Sequence, residues 1–231
     1  MIIGNIPPAV HVRYAWWGDT SVDVAIAFAV RGAEPPPPQG AGSSGTACFI
    51  WAPAPSPAMA DPGNAEGWIE RGDALYAQQK FKDAADAYAR AAELEPENAR
   101  AHFSRGNALF SMGHYEDALD AYDRTLSLDS GHARAWNNRG IVLATLGRYD
   151  EALACYERSI ALDASNVFTW YNKGLALANS NRFEEAIPAY DRALEIDENN
   201  AEIWILKGMA YRKLGRGVEA DAAMARAAEL N

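Results

Sequence analysis

A spacing of 34 residues governs this chain from Ala65 onward. Gly72, Gly106, Gly140, Gly174 and Gly208 stand 34 apart, and so do Ala84, Ala118, Ala152, Ala186 and Ala220. Trp68, His102, Trp136, Trp170 and Trp204 precede the glycines by four residues, and Tyr88, Tyr122, Tyr156, Tyr190 and Met224 follow the alanines by four. A recurring unit of this size restricts the fold to a stack of small, similar modules. One such module cannot bury both of its apolar faces, so neighbouring copies must cover them.

The physics of one unit follows from its spacing. In the third, Trp136, Gly140 and Leu143 fall at i, i+4 and i+7, on one face of a first helix. Gly147 is placed to end that helix in the left-handed region. A second helix opens at Tyr149, and Ala152, Tyr156 and Ser159 again share a face. Small residues in the Gly and Ala columns let the two helices approach closely, while the Trp and Tyr columns fill the space beside them. Asn64, Asn98, Asn166 and Asn200 stand just before successive first helices, where an amide oxygen can cap free backbone N–H groups.

Composition divides the chain near residue 59. Nine of the twelve prolines lie before it, Pro35–Pro38 among them, whereas the remainder is rich in Ala, Leu, Glu, Asp and Arg and reads as helix. Residues 1–58 form a Pro/Gly/Ala-rich leader. Within it, Val10–Trp17 and Val22–Val30 are strand-like, and Gly32–Pro57 has a flexible or polyproline character. Three readings of the leader stay open: a disordered tail, an upstream extension outside the natural product with Met59 as the true start, or a docking hairpin. The expected domains are therefore 1–58 and 59–231, with repeats at 65–98, 99–132, 133–166, 167–200 and 201–231.

This pattern resembles the tetratricopeptide repeat, whose signature runs W-x2-L-G-x2-Y, then A-x3-F, then A and P. The resemblance extends over residues 65–231. It implies an all-α, right-handed superhelical solenoid of about five helix-turn-helix repeats. Departures are local. Arg71, Arg105, Arg139, Lys173 and Lys207 replace the Leu before Gly, and Pro96 alone keeps the inter-repeat proline. Pro188 falls inside the fourth unit's second helix, at the cost of one backbone hydrogen bond or a mild kink. Gly217 stands where Phe81, Tyr115, Tyr149 and Phe183 stand earlier.

The resemblance also implies a concave groove lined by the first helices, holding a peptide or helix of a partner protein. The candidate groove residues are Arg100, Phe103, Asn107, Phe110, Arg134, Asn137, Asn138, Tyr171 and Asn172. Asparagine amides suit the backbone of an extended peptide, the arginines suit a carboxylate, and the aromatic rings suit an anchoring side chain. Asn107 and Asn138 match the asparagines of the carboxylate-clamp subclass. Phe103, Phe168 and Asn172 stand where that clamp requires Lys or Arg, which argues against clamp activity.

The alternative function is self-assembly through the open face of the last unit, formed by Met209, Tyr211, Leu214 and Met224. The recurring Arg/Lys and Asp/Glu columns read as solvated faces and ion pairs between neighbouring units, each contributing roughly 0–1 kcal/mol. A net charge of -10 weighs against nucleic acid and anionic membrane as partners. The two cysteines, Cys48 and Cys155, make neither a disulfide framework nor a zinc site, and the four histidines show no ligand spacing. No apolar run approaches the ~20 residues of a membrane span. The reading is therefore a cytoplasmic interaction scaffold that is no enzyme and carries no cofactor or metal.

Overall fold

The computed structural model describes residues 62–230; the leader at 1–58, with its candidate hairpin and linker, lies outside them. Ten α-helices and no strand occur among the described residues. They are α1 Ala65–Ala77, α2 Phe81–Leu94, α3 Ala99–Ser111, α4 Tyr115–Leu128, α5 Ala133–Thr145, α6 Tyr149–Leu162, α7 Val167–Asn179, α8 Phe183–Ile196, α9 Ala201–Lys213 and α10 Gly217–Glu229. Consecutive helices pair as five hairpins. Each second helix also packs on the first helix of the next hairpin, and each first helix touches the next first helix. The result is an all-α solenoid whose inner side is the row α1, α3, α5, α7 and α9. No helix among the described residues is long and apolar enough to cross a membrane.

The capping residues set where each hairpin begins and turns. Asn64, Asn98, Asn166 and Asn200 accept hydrogen bonds from the backbone N–H groups of Gly67, Ala101, Phe168 and Ile203. At the third junction His132 takes this place, and its Nδ1 accepts from the Ala135 N–H at 3.2 Å. The first helices stop in a common way. Gly147 has φ +76°, with Gly147 N–H donating to Ala144 O and Arg148 N–H to Leu143 O, the paired bonds of a Schellman turn. Gln79 and Asn181 hold the same left-handed position without being glycine, at φ 60° and 61°.

Packing within a hairpin turns on the Gly and Tyr columns. The rings of Tyr122, Tyr156 and Tyr190 are fully enclosed and lie directly on Gly106, Gly140 and Gly174. A Cβ on Gly140 would stand 2.6 Å from Cε1 of Tyr156, so only glycine fits beneath the ring. The Ala column is also fully buried. In the fifth hairpin Met224 replaces the tyrosine over Gly208. Gly217 opens α10 where the earlier units carry an aromatic ring, and a Cβ there would touch nothing within 4 Å. Pro188 is exposed within α8, which continues through it.

Between hairpins, side chains fasten each turn. The indole Nε1 of Trp136, Trp170 and Trp204 donates to the carbonyl six residues earlier, on Ser130, Ala164 and Glu198. The His102 Nε2 makes the corresponding contact with Pro96 O at 3.0 Å. The basic residues beside the Gly column reach back to the preceding unit: Arg139 to Asp123, Lys173 to Glu157 and Lys207 to Asp191. These cations are largely shielded while their carboxylate partners are more exposed, so each pair closes the edge of an inter-repeat seam. Arg71, Lys173 and Lys207 also lie over the rings of Trp68, Trp170 and Trp204.

Candidate functional site

The inner face is assembled from columns one, two and five residues after the Trp position and two before it. Most polar contacts between successive first helices fall on these columns; the 3.0 Å hydrogen bond between the hydroxyls of Tyr76 and Ser111 lies outside them. Arg100 donates to Glu66 at 2.7 Å and to Asp73 at 2.8 Å, so α3 clasps α1 across the first junction. Burial works against the Arg100 charge, but Asp73 and Glu66 outweigh it and hold the guanidinium above its ordinary range. The Tyr88 hydroxyl donates to the other Asp73 oxygen at 2.7 Å. Burial, and then the negative charge of Asp73, pushes that phenol far above its usual 10.0.

The next junctions carry a chain of amides. The Asn172 Nδ2 donates to Asn137 Oδ1 at 3.2 Å, Asn137 Nδ2 to Asn138 Oδ1 at 3.1 Å, and Asn138 Nδ2 to Asn107 Oδ1 at 3.2 Å. The Tyr122 hydroxyl closes the chain by donating to the same Asn107 oxygen at 2.8 Å. Asn137, Asn138 and Asn172 are at most 1% exposed. Burial of three amides is tolerable because each donates an N–H to the oxygen of the next. The column that supplies Asp73 and Asn107 as acceptors for Tyr88 and Tyr122 supplies Ile141 and Leu175 in the third and fourth units. Tyr171 is also buried, and its hydroxyl donates to Glu202 at 2.8 Å.

The nine sequence candidates therefore divide. Asn137, Asn138, Tyr171 and Asn172 form the buried floor between first helices. Arg100 is exposed, and Phe103, Asn107, Phe110 and Arg134 are half-buried. Phe103 stacks on His132 with ring centroids 4.6 Å apart, and Phe110 leans on Tyr115 at 5.7 Å. Among the described residues no hydrogen bond comes from Asn107 Nδ2, while its oxygen is used twice. Along one face of α3 therefore lie a guanidinium, an open pair of amide donors and two aromatic edges.

The other sequence candidates lie elsewhere. Met224 packs on Gly208, Tyr211 carries Arg216 over its ring at 4.7 Å, and Tyr211 and Leu214 are partly buried against the hydrophobic core. Cys155 is buried, accepts a contact from Arg139 at 3.0 Å, and has its thiol raised by burial against the pull of that cation. No group of three His, Cys, Asp or Glu side chains suited to a metal occurs among the described residues. The His132 cap was accessible to sequence reasoning, since His132 falls in register with the four asparagines. The Asn chain had no such signal, because a polar residue on an inner helix face reads as open to solvent.

Profiles of the tetratricopeptide repeat match residues 105–167, 167–200 and 201–231, and a TPR-repeat profile matches 72–113. The chain belongs to the tetratricopeptide-repeat family. That membership makes it a protein-interaction scaffold built on a non-catalytic type of fold. No curated protein matches it in sequence. Among solved structures it is similar to MamA, at 24% identity and TM-score 0.66, over 69% of this chain and 93% of that one. MamA from Desulfovibrio magneticus gives 22% identity and TM-score 0.68, covering 72% and 94%. YrrB, described as a TPR protein with an unusual peptide-binding site, gives 22% identity and TM-score 0.63, covering 73% and 87%. At these identities the likeness is one of tetratricopeptide-repeat fold.

Proposed function

We propose that this protein binds an extended peptide segment of a partner protein along the inner face of its first three repeats. The observation that carries the reading is the state of Asn107. Tyr122 and Asn138 occupy both lone-pair directions of its oxygen, which fixes the amide and turns its N–H groups toward the groove as donors alone. A main-chain carbonyl or a carboxylate is the complementary group. Phe103 and Phe110 supply apolar edges beside it, and Arg100 adds a cation already held by two acids. The peptide-binding site named for YrrB, a protein of the same fold, supports the same class of ligand. The buried amides and Tyr171 take the role of a rigid floor, and catalysis has no part in this reading.

The test is selection of peptides from a random displayed library on the whole chain, followed by comparison with an Asn107→Asp variant. Aspartate keeps an acceptor for Tyr122 and Asn138 but removes the donors. The first repeat already holds Asp73 in that column under Tyr88, so the exchange suits the fold. The variant should melt within about 2 °C of the parent and bind the selected peptides about tenfold or more weakly, the loss of a charge-opposed hydrogen bond. Equal affinity of both proteins for every selected peptide would overturn the assignment.

A further inference from the structure

Four of the five first helices are capped by asparagine, and the third, at the centre of the solenoid, is capped by a group that can take up a proton. The donor at this junction is the Ala135 backbone N–H, so the Nδ1 of His132 must carry a lone pair for the 3.2 Å contact to be a hydrogen bond. The neutral ring protonated on Nε2 is thus the form that the fold holds. Adding a proton to Nδ1 would set a donor against a donor and strip α5 of its side-chain cap, leaving the Ala135 N–H only its second acceptor, the His132 carbonyl at 3.0 Å. Asparagine has no such second state. We propose that His132 is a proton-operated cap that holds the second and third repeats in register when neutral and releases the start of α5 when protonated.

The surroundings of the ring favour this behaviour. Phe103 from α3 covers it at 4.6 Å, with Tyr122 of α4 behind Phe103 at 6.0 Å. The charges acting on the ring are Asp129, in the turn before it, and Arg134, in the first turn of α5. Burial is the largest influence and disfavours the imidazolium; Asp129 and a hydrogen bond to the backbone of His132 oppose it, and Arg134 adds to it. The folded state therefore prefers the neutral ring more than the unfolded chain does. The stability it contributes is present above the ordinary value of 6.5 and is lost as pH falls through that value toward the lower, folded one. Because Phe103 rests on the same ring, release of the cap also frees one aromatic wall of the inner face.

This inference goes beyond the peptide-binding reading and does not depend on it. The experiment follows amide exchange of Ala135 in the whole chain between pH 7.5 and 5, expressed as protection relative to the intrinsic rate. A His132→Asn variant, which copies the other four junctions, serves as reference. The wild-type protection at Ala135 should fall by about five- to tenfold more than that of the variant, the loss expected for one cap. In the unmodified protein the His132 ring should titrate below 6.5, and the Ala135 amide shift should follow it with the same midpoint. Equal pH dependence in the two proteins, or an Ala135 amide that ignores the ring's titration, would overturn the proposal. The second measurement needs no variant, so it decides the matter even if the asparagine protein is poorly folded.

Discussion

The close contact of Gly140 with Tyr156 gives a prediction whose size can be worked from distances. Alanine at 140 would place its Cβ 2.6, 2.9 and 3.0 Å from three atoms of the Tyr156 ring, whereas ordinary contact begins near 3.4 Å. The ring must retreat by about 0.8 Å, and it is fully enclosed, so the displacement passes to its neighbours. Overpacking of this kind costs about 1–3 kcal/mol, against which the helix propensity of alanine returns up to about 1 kcal/mol. The equivalent change at Gly208 meets Met224 Cε at 3.0 Å and Cγ at 3.2 Å, on a flexible side chain that can turn aside, and the Ala220 carbonyl oxygen at 3.2 Å, which must give by only about 0.2 Å. Gly140→Ala should therefore lower the melting temperature by about 2–6 °C, while Gly208→Ala shifts it by less than about 2 °C. The decisive assay is a double-mutant cycle with Tyr156→Met, which gives the third repeat the chemistry of the fifth. In the Tyr156→Met background the alanine penalty should shrink by at least about 1 kcal/mol. The same penalty in both backgrounds would refute the claim that the tyrosine ring is what forbids a side chain there.

Two further outcomes follow from the packing. Gly217→Tyr supplies the aromatic ring that the other four repeats carry at this position, where an added Cβ meets open space. It should stabilise the fifth hairpin by about 1–2 kcal/mol, seen as slower amide exchange in α10 and a higher melting temperature. Tyr76, Tyr88 and Tyr122 have phenols raised by burial, so an ultraviolet titration should leave them un-ionised at the pH where a free tyrosine ionises. Since the unfolded chain ionises these rings more easily, stability should fall as pH rises through about 10, and loss of helical circular dichroism should accompany their ionisation.

Much of the fold was legible because a repeat multiplies every weak signal by five. One glycine four residues after a tryptophan means little; four of them in register, with Gly106 after His102 as a fifth, fix where two helices touch. The capping asparagines and Gly147 could be placed for the same reason. The inner face was less legible, and Asn137, Asn138 and Asn172 show why. On a single helix they point toward the groove, and polarity argues for exposure. Only with the next first helix in place do they become floor, since the partner that permits burial of each amide lies on another repeat in two of the three bonds. Arg100 was legible as a groove residue but not as one held by Glu66 and Asp73, because a bond spanning 34 residues depends on how far successive units are rotated. The cap at His132 was within reach of the sequence and obscured by residue type, as histidine is seldom read as a capping group.

The repeats look interchangeable in their columns, yet the amide chain assigns each a place in line. The hydrogen bonds run in one direction, each Nδ2 donating to the next Oδ1 from Asn172 through Asn137 and Asn138 to Asn107, so the members are not interchangeable. If the fifth repeat were moved to follow the third, Leu206 would arrive where Asn172 now stands. The buried Asn137 oxygen would then lose its donor, at about 1–3 kcal/mol. Order in this array is therefore stored in the core, as a grammar of donors and acceptors that permits some sequences of modules and rejects others whose outer surfaces are the same.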